Sequence, residues 1–322
     1  VEGDSLMARA VRRSNIDPVI ASFPVKCKAP DGSSVFEATS FFVNGAPAMR
    51  PHDPYGINSF GGFLSTTVNY VAGCSLLSGV EAFADNVSVL SSLSFTLTTR
   101  FGGYLINKDT PYTALARRSL MLLPREVMMP RLCDSRIGTV PVAFVKFSDR
   151  EQEAKAVYYA CRWNLKPSDP AAFAAGKLTT PERPIVFYVD DTFPAGWYDA
   201  IRRGLLSWNA AFEKIGYRDA VQVRPYPRDD ASFDPNDIKF SCVKYANTMG
   251  ESLSSSARID PRSGEILSAT ICIPHNVTSR IRTDLFVQLG AADPDARRVK
   301  MSPELFGKAL AADVARHTGA CL

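Results

Sequence analysis

Histidine is scarce. The 322 residues hold three, His52, His275 and His317, too few to spread an imidazole-rich metal cluster over several motifs. None of the seven cysteines forms a C-x-x-C pair, which excludes a zinc ribbon and a thioredoxin-like centre. An odd, scattered set reads as buried thiols rather than a disulfide scaffold, although one or two bridges stay open. No apolar run approaches the roughly 20 residues needed to span a bilayer. No basic tract exceeds Arg12-Arg13 or Arg297-Arg298, and the net charge of +4 is spread along the chain. Nucleic acid is therefore not an expected partner. Neither a P-loop nor a dinucleotide-binding glycine fingerprint occurs. The serines at 252, 254, 255 and 256 lack a G-x-S-x-G setting and read as a flexible polar loop.

What remains is an ordinary globular composition, 46% hydrophobic and 22% charged, at a length that favours two domains. Residues 1–166 read as a β-rich domain. Val87, Val89, Leu93, Phe95 and Leu97 alternate with polar residues, with one slip at Leu90 that fits a bulge. Residues 34–43, 112–123, 139–147 and 156–165 are further strand candidates. Gly102-Gly103, Lys108-Asp109 and Ser148-Asp149 supply turns. The small apolar stretch 70–84 reads as a helix. Residues 167–183, with Pro167, Pro170 and Pro181, read as a linker.

From Pro184 the pattern changes. Ile185 to Val189 is a buried-strand run. Trp197, Ile201, Leu205, Trp208, Phe212 and Ile215 then mark one face of a long helix over 194–216, with Gly216 just past its end. Strands are expected at 221–223, 238–245 and 265–273. Ser302-Pro303-Glu304 opens a last helix with a cap, a proline at its first position and an acid in its first turn. The order is β-α-β-β-β-α.

Several phrases within this order form a set. They are Met128-Met129-Pro130-Arg131-Leu132, Asp134 to Gly138, Arg162-Trp163-Asn164-Leu165, Pro184 to Asp190, Ser207 to Glu213, Asp234 to Ile238 and Ile259 to Ala269. Asp260-Pro261-Arg262-Ser263-Gly264-Glu265-Ile266 is the most distinctive. In order and spacing the set resembles a bacterial family of secreted zincin-type metallopeptidases, in which a β domain of unknown function precedes the peptidase domain. The resemblance implies an α+β fold: an N-terminal antiparallel β domain, then a partial zincin-like α/β domain with a mixed sheet over 184–322.

The resemblance also implies an edge strand after the D-P-R-S-G-E-I turn. Ile266, Leu267, Ser268, Ala269, Thr270 and Ile271 would then pair with an extended peptide. It further implies an H-E-x-x-H helix, where two His share a face around Zn²⁺ and the Glu acts as base. At the corresponding place stand residues 311–322. In one register Arg316 and His317 replace His-Glu and Ala320 replaces the second His. In the other, Asp313 and Val314 replace His-Glu and His317 stands at the second His. Neither register keeps the Glu or both His. His52 reads as a loop residue, His275 as a strand-end residue and Cys321 as a buried thiol.

The expected function is that of a non-catalytic peptidase homologue without a cofactor, exported to the periplasm or cell surface, binding peptide or protein. Two alternatives stand beside it. One is an active zinc endopeptidase completed by sequence beyond Leu322, and the other an assembly subunit with partner subunits. Val1 in place of Met points to a removed N-terminal segment, and the uncapped apolar end at Leu322 to a longer natural chain.

Overall fold

The structure is a computed structural model that describes residues 5–16, 18–44, 64–148, 153–248 and 250–322. His52 and Asp149 lie outside the described residues. The chain forms two compact units. One comprises Val1–Met7 and Leu123–Leu322, the other Ala8–Leu122. Helix α1 (Ser5–Ser14) opens the described chain.

In the smaller unit, β1 (Val25–Lys28) and β2 (Ser34–Phe36) form an antiparallel pair, followed by a single helical turn, α2 (Thr39–Phe42). The strand expected over 34–43 thus ends at Phe36. Four strands make the main sheet: β3 (Leu64–Tyr70), β4 (Leu76–Ala82), β5 (Asn86–Phe101) and β6 (Tyr104–Met121). All pairings are antiparallel. β6 runs along β5, while β3 and β4 pair with successive parts of β5. Alternation drives this: Val89, Leu93, Phe95 and Leu97 are buried on one face of β5. The expected helix over 70–84 is instead a short 3₁₀ turn followed by β4. The slip at Leu90 reflects an irregularity on the partner strand. Leu77 opposes Ser91 and Gly79 opposes Leu90, which leaves Ser78 as the extra residue.

The larger unit begins with an antiparallel pair, β7 (Pro141–Lys146) and β8 (Lys155–Ala160). Next come β9 (Arg162–Trp163), α3 (Pro170–Ala174), β10 (Ile185–Val189), α4 (Trp197–Leu206) and α5 (Asn209–Lys214). β11 (Val221–Pro225), β12 (Ser241–Ala246), β13 (Ser254–Asp260) and β14 (Glu265–Pro274) follow. Helices α6 (Val277–Leu289) and α7 (Pro303–Gly319) complete the unit. The sheet order is β11-β10-β12-β14-β13. β11, β10, β12 and β14 are parallel, and β13 is antiparallel to β14. β9 adds a short parallel pairing at Glu265 and Ile266. An antiparallel β sheet followed by a mixed sheet with helices makes the protein α+β.

The compact units part between Leu122 and Leu123, and β9, which precedes the boundary expected after residue 166, pairs with β14 of this sheet. The stretch read as a linker, 167–183, carries α3 and a bridge between Pro167 and Pro181.

One sheet face carries the core. Ile185, Phe187, Val189, Ile271 and Ile273 pack with Ile201 and Leu205 of α4 and with Leu310 and Val314 of α7. The helices meet closely at Gly204: a Cβ there would lie 2.5 Å from the Ala311 carbonyl oxygen and 2.9 Å from the Val314 Cβ. The expected helix over 194–216 is interrupted at Ser207-Trp208, where the Ser207 hydroxyl donates to the Gly204 carbonyl at 2.7 Å. Its stripe is buried through Leu205 and half-buried at Trp208 and Phe212, and it reaches solvent at Ile215.

Candidate functional site

The distinctive turn is a compact joint between β13 and β14. Asp260 has a fully buried carboxylate that accepts from the Arg262 backbone N–H at 2.9 Å and from its Nη2 at 2.6 Å. The Arg262 guanidinium holds the Asp260 carboxyl below the usual carboxylate range, against the opposing cost of burial. Gly264 has φ 78°, and a Cβ there would lie 2.6 Å from the Ala160 carbonyl oxygen, so glycine is required twice over. Arg262 also donates to the Pro124 carbonyl, tying the turn to the start of this unit.

The turn leads out of the edge strand, not into it. β14 lies between β12 and β13, so Ile266, Leu267, Ser268, Ala269, Thr270 and Ile271 are interior. Thr270 pairs with Cys242 on one side and Ser256 on the other, and Ile271 with Val243 and Ser255. Ile266, Ser268, Ala269 and Ile271 are buried. Ser268 donates its hydroxyl to the Ile238 carbonyl, and the Ala269 N–H donates to Ser241 Oγ at 3.0 Å. Leu267 is a bulge residue, because Arg258 opposes Ser268 while Ile259 opposes Ile266. It lines a cavity of about 660 Å³ shared with Trp163, Asn164, Tyr188 and Phe240. A peptide cannot add to β14 without displacing a strand, so the strand expected at the edge is an interior one.

The edge position belongs to β13, the segment expected to be a flexible serine loop. Ser254, Ser255 and Ser256 pair with Cys272, Ile271 and Thr270. Among the described residues no strand pairs with the outer side of β13. Arg258 stands on the same sheet face as Ser254 and Ser256 and donates to Thr270 Oγ1.

Helix α7 reaches this edge at its C-terminal end. Cys321 is buried with its thiol against Ser255, and its carbonyl accepts the Trp163 Nε1–H at 2.8 Å. Burial pushes the thiol's pKa up, so Cys321 is no poised nucleophile. Ser302 caps the helix, accepting the Leu305 N–H at 3.1 Å.

The most buried ionisable group on α7 is Asp313. Its carboxylate meets Arg280 of α6 on one oxygen and Arg316 Nη2, at 2.9 Å, on the other. Arg280 also reaches Asp284 at 3.0 Å and the Glu251 carbonyl at 3.1 Å. Arg316 and Ala320 are exposed and His317 is half-buried. The His317 Nδ1–H donates to the Asp313 carbonyl at 2.9 Å, which leaves one ring nitrogen as a lone-pair donor when the ring is neutral.

A third register of the zincin motif places Asp313 at the Glu position, with Ala312 and Arg316 in place of the two His. Here too the acid is retained only as an ion-pair partner. His275 closes β14: its Nδ1 lies 2.6 Å from the Tyr245 hydroxyl, its ring stacks on Trp197 and its N–H donates to the Ala246 carbonyl. It ends a strand, as expected.

The resemblance implies a zinc ion, and the α7 residues do not fit one. Both Asp313 oxygens are committed to guanidinium groups, Arg316 cannot deprotonate, and Ala320 offers no lone pair. His317 supplies a single nitrogen. Among the described residues no three His, Cys, Asp or Glu side chains converge. The structure brings Arg316, His317 and Ala320 onto one helix end near β13, but as a salt-bridged surface. No helix is long and apolar enough to cross a membrane.

The fold therefore defines an α+β protein with an antiparallel sheet followed by a mixed one. The chain belongs to the family of DUF5117, a domain of unknown function, whose model matches residues 1–168. No curated protein and no solved structure matches it.

Proposed function

We propose that this chain is a non-catalytic homologue of the secreted zincin-type peptidases, exported to the periplasm or cell surface, that binds an extended peptide or protein segment along β13. The observation that carries the reading is the outer edge of β13 beside the C-terminal end of α7. Such an edge presents backbone N–H and C=O groups to a guest strand without needing a metal. The mixed sheet with one antiparallel edge strand, joined through the D-P-R-S-G-E-I turn, supports the zincin likeness. The ion-paired Asp313 and the lack of donors at Arg316 and Ala320 support a binding role over hydrolysis, since metal-assisted hydrolysis needs a held metal and an available base.

The test uses β-casein, an unstructured polypeptide, as the guest. Its binding is measured by fluorescence anisotropy with wild type, Ser256→Pro and Ala257→Pro. Along a strand successive N–H groups point to opposite sides, so one of the two prolines removes an outward donor. That variant should stay folded and lose binding at least tenfold. Unchanged affinity in a folded variant of each kind would place binding elsewhere and leave an assembly role as the better reading.

A further inference from the structure

We infer that the tip of the β5–β6 hairpin is a docking point for an anionic lipid surface. The two strands are long, and they meet at Gly102-Gly103, both at positive φ, with Phe101 opposite Tyr104. Such a two-residue turn makes a tight end. Directly after it, Tyr104 is 82%, Leu105 51% and Ile106 55% exposed.

Two features argue for immersion in an apolar medium over contact with another protein face. Tyr104 and Leu105 are consecutive in a strand, so their side chains leave opposite faces of the hairpin. A flat partner would cover one of them, whereas a lipid surface receives both. The strand edge is also poorly suited to a guest strand. Ile106 has no cross-strand partner, because Arg100 opposes Leu105 and Thr99 opposes Asn107. Thr98 faces the doubled Lys108-Asp109, with Asp109 at φ 49°, and Pro111 follows. Bulges and proline are devices that blunt an edge.

Charge selects the kind of lipid. The cations nearest the tip are Arg100 and Lys108, against a single nearby acid, Asp109, whose carboxylate accepts from the Thr98 hydroxyl at 3.3 Å. They stand behind the apolar apex, one on each strand. At roughly 3.4 Å per residue, the apex could sink by 5–10 Å while both cations stay at headgroup level. Tyrosine at such a boundary is well placed, with its ring in the interface and its hydroxyl toward water.

The experiment is co-sedimentation of the intact chain with vesicles of phosphatidylcholine mixed with phosphatidylglycerol, and with phosphatidylcholine alone. Wild type should sediment with the mixed vesicles. Leu105→Ser and Ile106→Ser should each weaken this roughly tenfold. Arg100→Gln and Lys108→Gln should each weaken it roughly fivefold on mixed vesicles and leave neutral ones unaffected. These side chains are exposed, so circular dichroism should show the variants folded. In Tyr104→Trp, emission should shift to the blue when mixed vesicles are added. Three results would overturn the inference: no sedimentation of folded wild type, sedimentation undiminished in the serine variants, or a concentration-dependent dimer in sedimentation velocity that the serine variants dissolve.

Discussion

Gly204→Ala tests the helix pair that sets the position of α7. In an isolated helix this change is favourable by about 1 kcal/mol, because alanine loses less backbone freedom. Here the new methyl would meet the Ala311 carbonyl oxygen at 2.5 Å and the Val314 Cβ at 2.9 Å. The first contact is backbone within α7, so no rotamer change relieves it, and the helices must separate. Overpacking of this kind costs about 1–3 kcal/mol. With an upper-range clash set against the propensity gain, the net loss is about 1–2 kcal/mol. For a unit of this size that lowers the melting temperature by about 5 °C. Urea unfolding followed by the fluorescence of Trp197 and Trp208 reads the change, with Leu205→Ala, fully buried, as a reference expected to lose about 2–5 kcal/mol. Stabilisation by Gly204→Ala would refute the close packing of α4 on α7.

Asp313→Ala should cost about 3 kcal/mol, the low end for breaking a buried ion pair, because Arg280 keeps Asp284; a change below about 1 kcal/mol in urea unfolding would mean the pair is solvated. Asp260 has a folded pKa below its unfolded value of about 3.9, so its stabilising contribution is complete above that value and lost as pH falls through the folded one. Acid unfolding of Asp260→Asn should therefore be less steep below about pH 4, and an unchanged profile would contradict the Arg262 contact. Cys27 and Cys74 are exposed while Cys242 and Cys321 are buried with raised pKa values. A thiol reagent at mild alkaline pH should label the first two rapidly and the last two only after unfolding. After dialysis against trace zinc, elemental analysis should find no stoichiometric metal; one ion per chain, lost in His317→Ala, would contradict the reading of α7.

Elements written in local patterns were legible in the sequence. β5 and β10 show their alternation and apolar run, and α7 shows its Ser302 cap. What depends on distant partners was not. Ser254-Ser255-Ser256 has no strand propensity of its own, and it becomes β13 because Thr270, Ile271 and Cys272 offer a ladder. Leu76 to Ala82 is strand because β5 lies beside it. The start of α6, Val277-Thr278-Ser279, carries no strong helix formers. Lateral order is the deepest gap. Nothing in Glu265 to Ile273 says that β13 will lie outside it, so the sequence pattern places the edge one strand too far inward. The site followed suit. Arg316, His317 and Ala320 were legible as a degenerate motif, but the Arg280 that holds Asp313 lies 33 residues away, on a helix the sequence did not announce.

The most direct measurement is hydrogen–deuterium exchange of the chain with and without saturating β-casein, read at the peptide level. The account predicts that amides within Ser254–Asp260 slow on binding, while those of Thr270, Ile271 and Cys272, already paired on both sides, stay as they were. Protection confined to any other segment, with Ser254–Asp260 unchanged, would contradict it.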